Sequence, residues 1–530
     1  MAELDLVLGI DSSTQSTSAV ILSRLDYRVL AEARVRYRDD PRLGGFGLAE
    51  GNPTLPAEEP GEASQPAALF LAALEALLDD LPRDLLSRVA AIDLSAQQHG
   101  QVWLGSAALQ AIVDLARPGS GTPGAPSLAE LIGPGLSWER SPIWMSANTS
   151  GEASALRSAA GGASAMTMRS GSDSPLRFSG AVLMRSALLH PHNWEKTARV
   201  HLISSFLSGV LSANPDCPID WGNGSGTSLM NWHERSWDGQ LVRAAGDFLG
   251  DPNLAGRLPG LAHPLTVAGK LARRFVERYG MSPACKVLIG SGDNPQSKVL
   301  VPGSLLSLGT SFVLMTAGGR PHVSANAMYD GLGLPFIFGC RTNGALAWER
   351  VRRDHGLAAD DFAAAEAALA TRLPSKPTVI FQPEHESFPD SPALDLGRSP
   401  DFATDYAGVV DSSLCLMALA SRSFAGEGAA MAVTGGASAS AAVLARVAAI
   451  WKVPVVPIAD AGAAAGAALA AALSLLSDAE RVAVADDARR ATSRAGTALE
   501  PDPRLMAAFH GSDGYLAALE ARSLELGFRL

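Results

Sequence analysis

A turn between two apolar runs, 6–10 and 17–22, carries Asp11, Ser12, Ser13, Thr14 and Gln15. Such a hairpin tip aims several backbone N–H groups at one point where an anion can sit, and a carboxylate beside it can hold a metal ion or its waters. Gly309 and Thr310, with Ser307 before and Ser311 after, repeat the arrangement between the apolar runs 304–308 and 312–315. Glycine lets a phosphate approach the backbone, and threonine adds a donor. Gly435 and Gly436, followed by Ser438, join an apolar run to a helix-forming one. Paired glycines there let adenine and ribose lie against the backbone, while Ser438 also suits a helix cap. The spacing is not G-x-G-x-x-G, which disfavours a dinucleotide fold. Asp293, between Gly292 and Asn294, ends another short apolar run and is placed to take a proton from a hydroxyl. Gln97, Gln98 and His99 bunch just beyond the run 89–94. Two amides and an imidazole suit a polyhydroxyl ligand, which needs many short directional bonds.

Each group also has a bland reading: a polar hairpin tip, a glycine turn, a solvated aspartate, a core histidine. One reaction accounts for all five. Phosphoryl transfer from ATP to an alcohol needs donors for the phosphates, a carboxylate near Mg²⁺ and a base for the attacking hydroxyl.

The elements that must position these residues can be read from the same sequence. Strand, polar turn, strand is predicted over 6–22 and again over 304–315. A helix is predicted over 66–80 with Leu69, Ala72, Ala73, Ala76 and Leu77 on one face, followed by a strand at 89–94. Residues 40–66 and 117–127 read as loops. A strand at 286–290, a helix at 439–451, a strand at 453–458 and an Ala/Gly-rich packed helix at 461–476 complete the outline. The recurrence of the hairpin suggests two copies of one domain type, with the boundary at about 285 to 295 and domains of 1–288 and 289–530.

A chain of 530 residues exceeds one ordinary core, so two large lobes are expected. Its net charge of −11, without a long basic run, makes it a poor binder of nucleic-acid backbones. The four cysteines, Cys217, Cys285, Cys340 and Cys415, are widely and irregularly spaced, which fits reduced buried thiols rather than a disulfide framework or zinc motif. The N-terminus shows no signal peptide, and no stretch reads as a membrane span.

In order along the chain, these motifs resemble the FGGY carbohydrate kinases, and within them the eukaryotic-type xylulokinases. The matching stretches include Gly9-Ile10-Asp11-Ser12-Ser13-Thr14-Gln15, Gln97-Gln98-His99-Gly100, Pro142-Ile143-Trp144-Met145, Gly292-Asp293-Asn294-Pro295, Ser307-Leu308-Gly309-Thr310-Ser311 and Thr434-Gly435-Gly436-Ala437-Ser438. The resemblance implies an α/β fold of two actin-like (ribonuclease H-like) ATPase domains flanking a deep cleft. It implies Asp293 as catalytic base and Asp11 as the carboxylate near metal and phosphates. Gln98, His99, Asp293 and Asn294 would bind the sugar; Ser12, Thr14, Gln15, Gly309, Thr310, Gly435, Gly436 and Ser438 would bind the nucleotide. The implied reaction is ATP-dependent conversion of a ketopentose, D-xylulose, to its 5-phosphate with Mg²⁺. Another ketose or polyol such as ribulose or glycerol, or sugar binding without transfer, are the alternatives. The implied setting is a cytoplasmic monomer or homodimer with neither nucleic acid nor membrane as partner. Two positions depart from the pattern: Ser146 follows Trp144-Met145 where the family carries Asp, and Asp173 stands where a sugar-contacting Arg is expected.

Overall fold

A computed structural model describes residues 3–48, 53–374, 376, 378–424, 430–458 and 462–530. Two sheets dominate it. The first is built from β1 (Leu6–Ser12), β2 (Ser16–Ser23), β3 (Val29–Arg36), β4 (Val89–Ala96), β5 (Val267–Lys270), β6 (Lys286–Leu288) and the two-residue β7 (Ser291–Gly292). Its order is β5-β6-β4-β1-β2-β3, with β7 also paired to β4. β1 runs antiparallel to β2 and parallel to β4. The second sheet contains β8 (Ser304–Leu308), β9 (Phe312–Ala317), β10 (Asn326–Tyr329), β11 (Pro335–Arg341), β12 (Met431–Thr434) and β13 (Val455–Pro457), in the order β10-β11-β9-β8-β12-β13. Here β8 is antiparallel to β9 and parallel to β12. The recurrence suggested by the two hairpins is therefore a recurrence of topology.

Alternation along β1 decides what each face of the first sheet meets. Leu6, Leu8 and Ile10 share a core with Leu69, Phe70, Leu74 and Leu77 of helix α1 (Ala67–Asp80). Val7 faces the other way, into a core shared with the Ala-rich helix α6 (Ala463–Ser474). The small residues of α6 allow a backbone-to-backbone approach: a Cβ on Gly9 would lie 2.0 Å from the Ala464 carbonyl oxygen. Helix α2 (Asp293–Val299) starts directly after β7 and packs against α6, where a Cβ on Gly466 would lie 1.9 Å from the Gln296 carbonyl oxygen. Thus a helix from the C-terminal half covers the N-terminal sheet beside the site of Asp293. The second sheet has its own core, closed by helices α3 (Ala345–Asp354), α4 (Phe402–Ser421) and α5 (Ala441–Trp451).

Some boundaries differ from expectation. β1 runs on through Asp11 and Ser12, because both stay in the ladder with β2 on one side and β4 on the other. The polar turn shrinks to Ser13, Thr14 and Gln15. Helix α5 begins only at Ala441: Gly436–Ala439 form a 3-10 turn, and Ser440, rather than Ser438, accepts the capping hydrogen bond from the Val443 N–H. The predicted helix over 461–476 is seen as Ala463–Ser474, and residue 461 lies outside the described residues. Cys217, Cys285 and Cys415 are buried, Cys340 is half-buried, and none of the four forms a disulfide. Among the described residues no helix is long and apolar enough to cross a membrane.

Candidate active site

Asp11, near the end of β1, and Asp293, just after β7, are 282 positions apart and flank β4, where Asp11 and Ser291 both pair with Ser95. Asp11 is 7% exposed. Its carboxylate accepts hydrogen bonds from the Ser95 hydroxyl at 2.7 Å and from the Ser13 hydroxyl. Burial raises its pKa, opposed by those two donors and by the charge of Arg34. Asp293 is the first residue of α2, preceded by Gly292 in extended conformation. Burial pushes its carboxyl up to about 7, and the negative charge of Asp11 adds to the rise. Hydrogen bonds from the backbone N–H groups of Asn294 and Gln98 work the other way. A carboxylate poised near neutrality, with no cation holding its proton off, has the properties of a general base.

The polyol candidates surround this base. The Asn294 amide donates to Gln98 Oε1 at 3.0 Å. A Cβ on Gly292 would strike Gln98 Cγ at 2.3 Å, so only glycine lets β7 and Gln98 come this close. His99 adopts φ 71°, a strained left-handed conformation for a residue with a side chain. Its ring stacks on Phe178 at 4.6 Å, and Nδ1 lies 3.0 Å from the Gly226 carbonyl oxygen. A carbonyl can only accept, so Nδ1 carries the hydrogen and Nε2 is left as an acceptor. Burial, reinforced by the nearby charge of Arg177, lowers the imidazole to about 3 and keeps it neutral. Gln97 points elsewhere: its Oε1 accepts from the Thr14 hydroxyl at 3.0 Å, and its amide donates to Gln65 Oε1 at 2.6 Å.

The nucleotide candidates divide into three groups. Gly309, Thr310 and Gly436 line an apolar cavity of about 1020 Å³ whose walls include Trp348, Arg352, Phe362 and Tyr406. Gly435 and Ser438 line a neighbouring cavity of about 700 Å³ with Ser307 and Arg494. Gly435, at φ 92°, lies so close to the β8–β9 turn that a Cβ would come 2.6 Å from the Leu308 carbonyl oxygen. Ser438 donates its hydroxyl to the Gly435 carbonyl at 2.7 Å and so shapes that turn. Thr14 and Gln15 line a third, polar cavity of about 400 Å³ in the N-terminal half. Ser12 is fully buried, with its hydroxyl 3.3 Å from that of Tyr37, and lines none of these three cavities.

Several contributors were not legible beforehand. Tyr37 bonds to Thr17 at 3.0 Å and donates to the Ser13 carbonyl at 3.0 Å, tying down the first turn from β3's far end. The Trp144 indole donates to the Thr14 hydroxyl at 2.9 Å. Arg352 is held by the Tyr406 hydroxyl at 3.0 Å and the Ala359 carbonyl at 2.8 Å, shaping the apolar cavity. Trp144 lies in a motif already noted, but its bond to Thr14, like the contacts of Tyr37 and Arg352, arises only from the fold.

Comparison with known proteins gives this geometry a context. No protein-family model matches the chain. It is 30% identical over 358 residues to the probable D-xylulose kinase A of Aspergillus clavatus, and 29% identical to D-xylulose kinase A of Aspergillus niger. Each alignment covers 66% of this chain but only 60% of the relative. The xylulose kinase of Rhodospirillum rubrum superposes with a TM-score of 0.78 over 98% of this chain and 99% of its own, at 18% identity. The gluconate kinase of Lactobacillus acidophilus, also 18% identical, gives 0.77 over 98% and 97%. The glycerol kinase of Plasmodium falciparum, 13% identical, gives 0.72 over 98% and 97%. The fold is therefore the two-domain actin-like ATPase fold of the carbohydrate kinases. Its sequence relatives are named as D-xylulose kinases, and its fold is that of the solved carbohydrate kinases.

The two departures from the FGGY pattern have local explanations. Ser146 is buried against β-structure, donating to the Ala63 carbonyl at 2.9 Å and accepting from the Ala63 N–H at 3.2 Å. Asp173 is taken up by Arg157, whose Nε donates to its carboxylate at 2.8 Å. The charge of Arg177 acts on His99 and also on Cys340 of β11.

Proposed function

We propose that this chain transfers the terminal phosphoryl group of ATP to a ketopentose, D-xylulose giving D-xylulose 5-phosphate. The observation that carries the reading is the paired placement of Asp293 and Asp11, one beside the polyol candidates and one beside the phosphate-sized turn. Asp293 takes the proton of the attacking hydroxyl, the hydroxyl oxygen bonds to phosphorus, and the bond to the ADP oxygen breaks. His99 Nε2 accepts from a sugar hydroxyl, and the amides of Gln98 and Asn294 supply further polar contacts. Adenine and ribose suit the apolar cavity beside Gly309, Thr310 and Gly436, with the phosphates running past Gly435 and Ser438 toward Thr14 and Gln15. Asp11 is the residue that would hold Mg²⁺ through oxygen. Among the described residues no cluster of three or more His, Cys, Asp or Glu exists. That suits a magnesium ion held by one or two carboxylates together with substrate phosphates. Bound there, the ion would offset phosphate charge.

The same reading divides the chain into a sugar lobe, 1–288, and a nucleotide lobe, 289–530. It also has the protein act in the cytoplasm as a monomer or homodimer, without nucleic acid or membrane. Loss of the expected Arg at 173 makes the sugar the point to test. A coupled assay of ADP release over D-xylulose, ribulose, glycerol, gluconate and no sugar should show D-xylulose with the highest kcat/KM. Greater turnover with another polyol would reassign the substrate, and ATP turnover indifferent to every sugar would sink the kinase reading.

A further inference from the structure

One row of the first sheet carries more than Asp11. Across β7, β4, β1, β2 and β3 the register aligns Ser291, Ser95, Asp11, Ser18 and Arg34. Residues aligned across strands project from the same face. Only the short side chain of Ser18 separates Asp11 from Arg34, and the charge of Arg34 is felt at the Asp11 carboxylate. Arg34 is exposed and lines the polar cavity with Thr14, Gln15 and Ser16. Among the described residues it has no ion-pair partner, whereas Arg36 beside it meets Asp39 at 3.6 Å. Two residues earlier on the same face of β3, Glu32 pairs with Arg494 from the C-terminal half. Arg494 lines the cavity that holds Gly435 and Ser438. The face of β3 that bears Arg34 therefore looks toward the turns where the nucleotide phosphates are placed.

We propose that Arg34 contacts the terminal phosphoryl group of ATP during transfer, an assignment that rests on the kinase reading. Its guanidinium forms no bond to phosphorus and takes no proton. It offsets the charge spread over the equatorial oxygens while the hydroxyl proton goes to Asp293 and ADP leaves. A planar fork of N–H donors suits those oxygens better than a point charge does.

Arg34→Gln and Arg34→Lys test this with two readouts. In sugar-dependent ADP release, Arg34→Gln should lower kcat on the order of 10²- to 10³-fold with little change in sugar KM, as for removal of a preorganised donor. Arg34→Lys should recover part of the loss. In calorimetry without sugar, the native protein with Mg²⁺ should bind the imido analogue of ATP more tightly than ADP. Arg34→Gln should erase that preference while leaving ADP affinity in place. Turnover within threefold of native, or a preference for the analogue that survives the substitution, overturns the proposal. If the native protein phosphorylates no sugar, the kinase reading fails, and the analogue-to-ADP ratio still decides whether Arg34 meets the terminal phosphate.

Discussion

The two hairpin turns, at 13–15 and 309–311, are built from different materials. The N-terminal turn is held by side chains: Thr14 by Gln97 and Trp144, Ser13 by Asp11 and Tyr37, and the Thr14 carbonyl by the Gln65 amide at 2.7 Å. The C-terminal turn is held by close backbone contact. Gly435 lies against Leu308, and a Cβ on Gly344 would lie 2.6 Å from the Thr310 carbonyl oxygen. Side-chain bonds fix where a carboxylate and a hydroxyl stand. Glycine contacts leave backbone N–H groups bare for a ligand to approach. The first turn is thus suited to placing reactive groups and the second to cradling a nucleotide. Substitutions in the two should fail in different ways.

The largest effect is expected at the base. Asp293→Asn should reduce kcat by about 10²- to 10⁴-fold, the range for loss of a general base, with nucleotide affinity retained. In the native protein kcat/KM should fall about tenfold per pH unit below about 7, where the raised carboxyl becomes protonated, and Asp293→Asn should lack that slope. Stability moves in the opposite direction. A folded-state value of about 7 against 3.8 means the folded protein holds this proton more tightly, so stability is lost as pH rises from near 4 through 7. Asp293→Asn should therefore melt higher than native at pH 8, with the gap closing toward pH 4. A variant equal to native in turnover, or a native profile flat between pH 5.5 and 7, would remove Asp293 from the mechanism.

An intermediate effect is expected at the second turn. Gly435→Ala would force a Cβ to within 2.6 Å of the Leu308 carbonyl oxygen at a φ of 92°, a region costly for any residue with a side chain. The β8–β9 turn must shift, and ATP should bind roughly ten- to a hundredfold more weakly, as a shift of 1.4 to 2.8 kcal/mol would give. Sugar affinity should be unchanged. ATP titration of turnover reads this, and a native KM for ATP would show that the glycine contact does not shape the nucleotide site.

How much of this was visible in the sequence depends on the range of the interaction. The strands, both hairpins and the Ala-rich helix were legible because apolar periodicity and Ser/Thr or Gly punctuation are local signals. So were Asp11, Asp293 and His99, since motif types and order single them out. The part played by α6 was not: nothing in a run of alanines says it will cover the opposite half's sheet at Gly9. Nor were Tyr37, Trp144 and Arg34, whose relation to Asp11 and Thr14 arises only from strand register and loop packing. Ser12 shows the converse, a motif residue whose hydroxyl the fold turns toward Tyr37. The helix cap falls at Ser440, not at Ser438, because the glycine pair is followed by a 3-10 turn that takes in Ser438.

The smallest effect should come from the side-chain lattice of the first turn. Thr14→Val keeps the volume and removes the hydroxyl that links Gln97 to Trp144 at 3.0 and 2.9 Å. A typical net hydrogen bond contributes about 1 kcal/mol, and the Gln65 contact to the Thr14 carbonyl survives the change. A fall of about five- to thirtyfold in kcat/KM is expected, recovered by Thr14→Ser. If Thr14 contacts the phosphates as well as bracing the turn, the loss should appear in ATP KM along with kcat. If it only braces, kcat alone should fall, because Asp11 drifts from its place while the C-terminal turn still holds the nucleotide. Equal turnover in Thr14→Val would mean that the remaining bonds suffice to fix the turn, and the contrast between a side-chain-built turn and a glycine-built one would lose its functional content.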